Sequence, residues 1–502
     1  MPPRTHPDPL TTGATLVDAL RRQLPAELIE THISWVLLTP QFAFKIKKPV
    51  RFAFVDFSTL DLRRHCCEEE LRLNRRLAPS IYLEVVEIRG TLDDPKFEGS
   101  GPLLEVAVKM RRFAPDALFS ERLARGTLTP QHLDRLAQRV AAFHRAAPRA
   151  EADMPYGSAA AIERATGRAY EAVEAAAPQL RAWLQAQSRT LRPLWAARRD
   201  AGWVRECHGD LHLANIVLLG DDATAFDCIE FDPALRWIDV ASDVAFLVMD
   251  LLAHRRRDLA FRFLNAWLED IGDVGSLSVL RYYMVYRAVV RAQVALLRGA
   301  SEGAAPDYLA LACSLACPGD PRLLITHGLP GSGKSFVSQQ LLECAGAIRI
   351  RSDVERKRLF GLAPTQRSRS QDIYDAATTQ RTYEALRSLA RSALQAGWPT
   401  IVDAANLRRD ERAQFRELAD ALRVPFAILD CEAPIEVLRE RVRARELRRD
   451  DASEADAAVL ERLNSQREPL DDAERTQAIR VDTRTALAPA ALAADWLART
   501  AP

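Results

Sequence analysis

The stretch Gly328-Leu329-Pro330-Gly331-Ser332-Gly333-Lys334-Ser335 decides the fold of the second half of this 502-residue chain. It follows an apolar segment, Leu323–His327, that has the composition of a strand, and it leads into a segment that we expect to be helical. A glycine-rich loop in this context turns successive backbone N–H groups and a helix N-terminus toward one point, which forms a cradle for phosphate groups. The pattern assigns ATP binding to Gly328, Gly331, Ser332, Gly333, Lys334 and Ser335. We expect Lys334 to reach the β- and γ-phosphates and Ser335 to bind Mg²⁺.

The segments on either side of this loop predict a parallel sheet. Three further apolar segments, 347–350, 400–403 and 425–430, alternate with helical patterns, and this alternation is typical of a parallel sheet covered by helices. Residues 313–322 contain Pro318, Gly319, Asp320 and Pro321, which is a composition suited to a linker. We therefore predict two domains, 1–312 and 323–502, joined by a linker at 313–322.

The first domain carries a second, unrelated pattern for phosphoryl transfer. Kinases of the protein-kinase type need a lysine on the phosphates, a glutamate that holds it, an aspartate near the acceptor hydroxyl, and aspartate and asparagine ligands for Mg²⁺. His208-Gly209-Asp210 is followed by Asn215 and, after an apolar strand, by Asp227. We predict that Asp210 orients the acceptor hydroxyl and that Asn215 and Asp227 bind the metal. The alternative is a capped turn whose carboxylates face water.

This segment resembles the aminoglycoside phosphotransferases and their relatives, a branch of the protein-kinase-like fold that includes choline, fructosamine and methylthioribose kinases. The resemblance covers roughly residues 30–300 and implies an α+β fold. It also implies that Lys45 anchors the phosphates and Glu70 is its ion-pair partner, with Lys47 and Glu69 left open as alternatives. Asp239 is expected to brace the catalytic loop from beneath.

Periodicity predicts the elements of this first domain. We expect helices at 16–30 and 60–77 and mostly helical structure over 129–200 and 238–312. Strands are expected at 33–38 and 42–47, joined by a tight turn, and at 81–89 and 103–110. A strand, a loop and a second strand are expected within 204–232. The turn between the first two strands has no glycine-rich sequence, so phosphate coverage must come from elsewhere.

The second domain resembles phage-type polynucleotide 5′-hydroxyl kinases and P-loop kinases of the gluconate-kinase type over about residues 322–500. The resemblance implies that Asp353 activates the acceptor hydroxyl and that Arg356 contacts the substrate, although Asp353 could simply be a helix N-cap. Asp403, in a D-x-x-N-L segment, could bind Mg²⁺ or the substrate. The segment 439–445 resembles a lid helix that supplies Arg441 and Arg445 to the transferred phosphate, and 451–456 resembles the end of that lid.

The acceptor is less clearly specified. Arg281, Arg287 and Arg291 favour a neutral or anionic acceptor over a polycationic aminoglycoside, but the favoured interpretation is that they are solvated or paired with nearby acids. The arginine-rich stretch 439–449 could indicate nucleic acid, yet acidic residues dilute its charge and no aromatic residues interleave to stack bases. A phosphate-binding lid is the favoured interpretation.

Composition excludes several classes. The formal net charge is +1 and no apolar run reaches the roughly 18 residues that cross a bilayer, so we expect neither a nucleic-acid-binding charge excess nor a membrane partner. The eight cysteines are scattered, without a zinc-ligand pattern. We expect a cytoplasmic location.

The whole chain resembles bacterial fusions of an aminoglycoside-phosphotransferase-family domain with a P-loop ATP-binding domain. The favoured function is a kinase with two modules, each using ATP and Mg²⁺, acting on a hydroxyl of a small metabolite such as a sugar or sugar acid. The alternatives are a nucleic-acid 5′-hydroxyl kinase, and a protein in which one module binds nucleotide and regulates the other.

Overall fold

The structure, a computed structural model, describes residues 9–52, 55–297, 306–368, 373, 375–448 and 452–500. Two compact units can be distinguished. The first runs to Ala165 and resumes at Arg192–Leu247, and the second comprises Thr166–Leu191 and the chain from Val248 onward. The helices after Val248 thus belong to the same compact unit as the phosphate-binding loop, whereas the sequence predicts a domain boundary at 313–322.

The first unit contains a six-stranded antiparallel sheet with strand order β1-β2-β3-β8-β6-β7, and a separate small hairpin, β4-β5. The elements are α1 Pro9–Gln23, β1 Glu27–Glu30, β2 Ser34–Leu38, β3 Phe42–Lys47, β4 Arg51–Phe52, β5 Val55–Asp56, α2 Leu60–Asn74, β6 Tyr82–Gly90, β7 Pro95–Phe97 and β8 Leu103–Arg111.

The two faces of this sheet are buried by different helices. Side chains along a strand alternate between faces. Ile46 of β3 packs with Leu16 of α1, whereas Val106 and Val108 of β8 pack with Cys67 of α2. This arrangement sets α2 beside β3, where charged side chains of both elements can meet.

The predicted strands and the helix near residue 60 are confirmed, but the helix predicted at 16–30 is wrong in its bounds. Helix α1 begins at Pro9 and ends at Gln23, and Glu27–Glu30 is a strand paired with β2. Pro25 is the physical reason, because a proline disfavours helical backbone at the residue before it and removes an N–H donor.

The chain then becomes mainly helical, as predicted, with two short strand pairs. The elements are α3 Phe119–Ala124, α4 Pro130–Ala146, α5 Ala159–Glu171, α6 Gln179–Asp200, β9 Val204–Glu206, β10 Ile216–Leu219, β11 Asp222–Ala225, α7 Pro233–Arg236, β12 Trp237–Asp239 and α8 Val240–Ala253. Strands β10 and β11 form a hairpin, and β12 pairs with β9. Strand β10 lies where the sequence predicts a loop.

The second unit contains a five-stranded parallel sheet with strand order β14-β15-β13-β16-β17, which confirms the predicted α/β architecture. The elements are α9 Arg257–Ile271, α10 Leu277–Leu297, α11 Tyr308–Leu315, β13 Leu323–His327, α12 Lys334–Ala345, β14 Ile348–Arg351, α13 Ser352–Arg358, α14 Ala376–Gln395, β15 Thr400–Asp403, α15 Arg409–Leu422, β16 Phe426–Glu432, α16 Ile435–Arg448, α17 Ala457–Ser465, α18 Asp472–Gln477, β17 Ala478–Asp482 and α19 Pro489–Ala498.

Strand β13 lies at the centre of this sheet. Leu323 and Ile325 are fully buried and pack with Val402 of β15 and Ile428 of β16. Because the strands are parallel, their carboxyl ends meet at one edge, and the glycine-rich loop leaves the sheet there. Among the residues that the structure describes, no helix combines the length and the apolar character needed to span a bilayer.

Candidate phosphoryl-transfer sites

In the first unit, β3 and α2 bring together the predicted lysine and glutamate. Lys45 Nζ lies 2.8 Å from Glu70 Oε1 and 2.6 Å from Asp227 Oδ1. Lys47, two residues along the same face of β3, also contacts Glu70, at 2.5 Å, and pairs with Glu230. Lys45 therefore joins Glu70 to Asp227, whereas Lys47 joins Glu70 to Glu230.

The alternative Glu69 faces a different set of partners. Its carboxylate accepts from Arg72 at 2.8 Å and from Arg236 at 3.2 Å. The geometry therefore favours Glu70 over Glu69 as the partner of Lys45. Glu70 lies in the last turns of α2.

The charges of this cluster reinforce one another. Burial alone would raise the pKa of Glu70, but the ammonium groups of Lys45 and Lys47 lower that pKa to about 2. Burial alone would lower the pKa of Lys45, but the carboxylates of Asp227 and Glu70 raise it well above its ordinary value. Both groups are therefore ionised at neutral pH. The side chain of Asp227 is 42% exposed, so it also faces solvent.

The loop after β9 holds Asp210 and Asn215 against each other. Asn215 Nδ2 donates to Asp210 Oδ2 at 2.9 Å and to the Asp210 carbonyl oxygen at 3.0 Å. His212, to which the sequence assigned no role, is buried, and its Nδ1 accepts the Ala214 N–H at 3.2 Å. Its Nε2 lies 3.4 Å from Asp210 Oδ2.

Two hydrogen bonds connect this loop to the segment that carries Asp227. Phe226 N donates to the Asn215 carbonyl oxygen at 2.9 Å, and His208 Nε2 lies 2.9 Å from the Phe226 carbonyl oxygen. Asp227 itself has a left-handed backbone, φ 63°, and its N–H donates to Tyr82 at 3.1 Å. An aspartate tolerates this conformation better than most residues. The predicted residues Asp210, Asn215 and Asp227 thus belong to one hydrogen-bonded region.

The expected brace of the catalytic loop is a different aspartate from the one predicted. Asp239 accepts hydrogen bonds of 2.6 and 2.8 Å from the Arg198 guanidinium, so its predicted role is wrong. Asp243, at the start of α8, accepts from the backbone N–H groups of His208 and Gly209 at 3.1 and 2.8 Å. Its Oδ2 also lies 3.0 Å from His144 Nε2. An acidic residue inside the apolar stretch of α8 was the available signal in the sequence.

We expect Asp243→Ala to lower the free energy of unfolding by about 3 kcal/mol, because two buried backbone N–H groups and His144 lose their acceptor. Burial raises the pKa of Asp243, but the His144 bond and nearby donors hold it below its ordinary value. The stabilisation is therefore present above the ordinary carboxyl pKa and is lost as pH falls through the folded-state pKa. Urea unfolding at neutral pH measures the difference, and an unchanged free energy of unfolding would contradict the assigned contacts.

In the second unit, the glycine-rich loop connects β13 to α12 as predicted. Gly328, Gly331 and Gly333 have φ values of 141°, 80° and 84°, and a Cβ on Gly331 would lie 2.8 Å from the Leu438 carbonyl oxygen. Only glycine meets both requirements without strain. Lys334 Nζ donates to the Leu329 carbonyl oxygen at 2.9 Å, and burial lowers its pKa. A half-buried ammonium hydrogen-bonded to a neutral carbonyl is suited to receive an anion.

Asp403 ends the neighbouring strand β15 and lies at the same edge of the sheet. Its side chain is buried, and Oδ2 accepts from Ser338 Oγ at 3.2 Å. Ser338 Oγ also lies 3.2 Å from the carbonyl oxygen of Ser335. The structure therefore connects the predicted metal ligands Ser335 and Asp403 through one serine of α12.

The remaining predicted residues of this unit surround one cavity of about 1230 Å³. Its lining includes Lys334, Ser335, Asp353, Arg356, Asp403, Arg441 and Arg445. Asp353 is the second residue of α13 and Arg351 occupies the cap position, so the interpretation of Asp353 as an N-cap is wrong.

The three predicted arginines around this cavity already have partners in the protein. Arg356 donates to the Ile373 carbonyl oxygen at 3.0 Å. Arg441 donates to Thr483, and Arg445 donates to the Ala455 carbonyl oxygen at 2.6 Å. The predicted lid comprises 439–445 and 451–456, and residue 451 lies outside the described part of the chain, as does residue 449 at the end of the arginine-rich stretch 439–449.

The arginines considered for the acceptor of the first domain have other surroundings. Arg281 donates to the carbonyl oxygens of Cys317 and Gly397, at 3.0 and 3.2 Å. Arg287 is only 3% exposed, so the alternative that it is solvated is wrong. Arg291 lies over the Tyr308 ring, 5.4 Å from its centroid.

Both units thus bring together the residues predicted to bind and transfer a terminal phosphate, and the fold is that of an ATP-dependent phosphotransferase, a kinase with a protein-kinase-like half and a P-loop half. Residues 323–470 match the family model described as AAA domain. The chain is 30% identical over 455 residues to the uncharacterized protein Rv2004c of Mycobacterium tuberculosis, covering 86% of this chain and 88% of the relative. The uncharacterized protein Mb2027c of Mycobacterium bovis matches with the same values. The chain belongs to the family of these mycobacterial proteins.

Solved structures of two kinases are also similar to parts of the chain. A choline/ethanolamine kinase family protein from Mesorhizobium loti covers 60% of this chain and 92% of its own, with 13% identity and a TM-score of 0.31. A gluconokinase from Sinorhizobium meliloti covers 36% of this chain and 90% of its own, with 22% identity and a TM-score of 0.25.

Proposed function

We propose that the protein is a bifunctional kinase whose two sites each transfer the γ-phosphate of ATP to a hydroxyl of a small metabolite, of the sugar or sugar-acid class. One observation carries the proposal: a single cavity of about 1230 Å³ holds both the phosphate-binding loop and Asp353. A phosphate donor and an acceptor hydroxyl could therefore be held side by side in one cavity, as transfer by in-line displacement requires.

The residues of both sites fit Mg²⁺. Magnesium prefers oxygen ligands, and it neutralises charge on the phosphate oxygens when it is bound with ATP. In the first unit Asp227 and Asn215 would hold it, and the partial exposure of Asp227 leaves that carboxylate accessible. In the second unit Ser335 and Asp403 would hold it.

In the first unit, Lys45, fixed by Glu70, would bind phosphate oxygens. Asp210 would accept a hydrogen bond from the acceptor hydroxyl and orient the hydroxyl oxygen toward phosphorus. The Asn215 amide holds the Asp210 carboxylate at 2.9 Å, which limits its rotation. The Asp243 contacts to His208 and Gly209 would keep this loop in place.

In the second unit, Lys334 would bind the phosphates and Asp353 would orient the acceptor hydroxyl. Arg356 would contact the acceptor, and Arg441 and Arg445 would approach the transferred phosphate when the lid closes. Arg387 and Arg408 also line the cavity, and guanidinium groups bind carboxylates in a paired geometry. They support a sugar acid as the acceptor.

A nucleic-acid acceptor has less support. Asp375 and Glu384 line the same cavity. Their carboxylates would repel the phosphates of a polynucleotide, whose binding depends on neutralising those charges.

We also propose a cytoplasmic location. All eight cysteines are free of disulfide bonds, as a reducing compartment allows. The two proposed modules comprise residues 1–312 and 323–502, joined by a linker at 313–322.

The test is a transfer assay with γ-labelled ATP on the full chain, against sugars, sugar acids and 5′-hydroxyl oligonucleotides at low salt. We expect label in a sugar or sugar acid and none in the oligonucleotides. Label in an oligonucleotide that is lost at high salt would contradict the proposed acceptor class. Nucleotide binding without transfer to any acceptor would instead favour the regulatory alternative.

A further inference from the structure

Glu269, near the C-terminal end of α9, contacts the sheet of the P-loop site although it lies far upstream of the loop in sequence. Its Oε1 accepts from Arg349 Nη2 at 2.9 Å, and its Oε2 lies 3.5 Å from Arg351 Nη1. Arg349 and Arg351 are alternate residues of β14, so their side chains leave the same face of the strand. One carboxylate therefore holds two guanidinium groups.

Both guanidinium groups reach the residues that carry the proposed metal site. Arg349 Nη1 donates to the Ser335 carbonyl oxygen at 3.1 Å. Arg351 Nε lies 3.9 Å from Asp403 Oδ2. Glu269 is thus connected through Arg349 to the first turn of α12 and through Arg351 to Asp403.

The charges explain what Glu269 contributes. Burial would raise the pKa of Glu269, but Arg349 and Arg351 hold it below its ordinary value, so the side chain is an anion. Arg351 lies between the carboxylates of Glu269 and Asp403, at 3.5 and 3.9 Å. Without the Glu269 carboxylate, Arg351 would be drawn more strongly to Asp403, and a guanidinium paired with Asp403 would compete with a cation for that carboxylate.

We propose that Glu269 is a positioning residue of the P-loop site, which holds Arg349 and Arg351 so that Asp403 stays available to the divalent cation bound with the nucleotide. This inference rests on the proposed function of that site. It also means that the P-loop site depends on α9, an element that precedes the predicted linker.

The test measures the binding of a fluorescent ADP analogue to the full chain as a function of Mg²⁺ concentration. Binding by the P-loop site is the part of the signal that Lys334→Ala removes. We expect Glu269→Gln to raise the Mg²⁺ concentration for half-maximal binding about tenfold. Binding in EDTA should change by less than about twofold, because the phosphate cradle is untouched. Adding Arg351→Gln to Glu269→Gln should restore most of the Mg²⁺ affinity, since the guanidinium that would compete for Asp403 is removed.

Glu343→Gln is the matched control. It breaks the 2.8 Å ion pair between Arg262 of α9 and Glu343 of α12 and leaves Arg349 and Arg351 untouched. We expect it to leave the Mg²⁺ dependence unchanged. An equal shift in Glu343→Gln, or no shift in Glu269→Gln, would overturn the inference.

Two further outcomes keep the test decisive. If Glu269→Gln does not fold, Glu269→Asp, which keeps the charge on a shorter side chain, should give a smaller shift in the same direction, and an unchanged Mg²⁺ dependence would overturn the inference. If Lys334→Ala removes no ADP binding, the proposed function of the P-loop site fails, and that result is distinct from a failure of the role of Glu269.

Discussion

Replacing Lys334 by alanine is expected to reduce phosphoryl transfer by the P-loop site by at least about 10³-fold, because a positive charge placed to stabilise the transferred phosphate is removed. Lys334 is half-buried at the start of α12, and its Nζ is hydrogen-bonded to the Leu329 carbonyl oxygen. The glycines that shape the loop are unchanged by the substitution. The effect should therefore fall on nucleotide binding and transfer, and thermal unfolding should stay near that of the wild type.

The measurement is kcat/KM for the acceptor of each site with the full-length variant. Lys96→Ala serves as the control, because Lys96 is an exposed lysine that pairs only at 3.1 Å with Asp94. Transfer by the Asp210 site should be the same in both variants. A Lys334→Ala protein that keeps wild-type transfer at both sites would show that the loop has no part in catalysis.

Asp210→Ala has the second large effect that we expect, a loss of at least about 10³-fold in transfer by the site of the first unit. The substitution removes the carboxylate that Asn215 and His212 surround and that would orient the acceptor hydroxyl. Binding of ATP should be retained, since Lys45, Glu70 and Asp227 remain in contact. The loss should therefore appear in kcat rather than in the affinity for ATP.

Asp222→Asn is the matched control for Asp210→Ala. Asp222 lies in the adjacent β10–β11 hairpin, is exposed, and pairs with Arg139 at 2.5 Å. Its substitution should leave kcat unchanged because its carboxylate pairs at the surface. If Asp210→Ala keeps full activity with the acceptor of this site, the assigned role of Asp210 is refuted.

Local sequence predicted those parts of the structure that depend on neighbouring residues. The glycine-rich loop was predictable because its positive φ angles require glycine, and the parallel sheet followed from apolar segments that alternate with helices. The end of α1 could have been predicted from Pro25. The strand β10 was missed because Ile216–Leu219 directly follows the catalytic loop and gives only a four-residue apolar run.

The parts that depend on contacts between distant segments could not be predicted in the same way. Lys45 and Lys47 are alternate residues of the same apolar segment, so the sequence does not distinguish them. Only the fold shows that Lys45 contacts Asp227 and that Lys47 contacts Glu230. Asp239 and Asp243 lie four residues apart, and only the fold shows that Asp243 is the one that contacts the backbone of the catalytic loop. The contact of Glu269 with β14 joins segments that no local pattern connects.

The number of nucleotides bound by one chain tests the claim of two separate sites most directly. Titration of the full chain with a nonhydrolysable ATP analogue and Mg²⁺ should give two molecules bound per chain, falling to one in Lys334→Ala and to one in Asp227→Asn. One molecule bound by the wild-type chain, or the loss of both from either single substitution, would contradict the account.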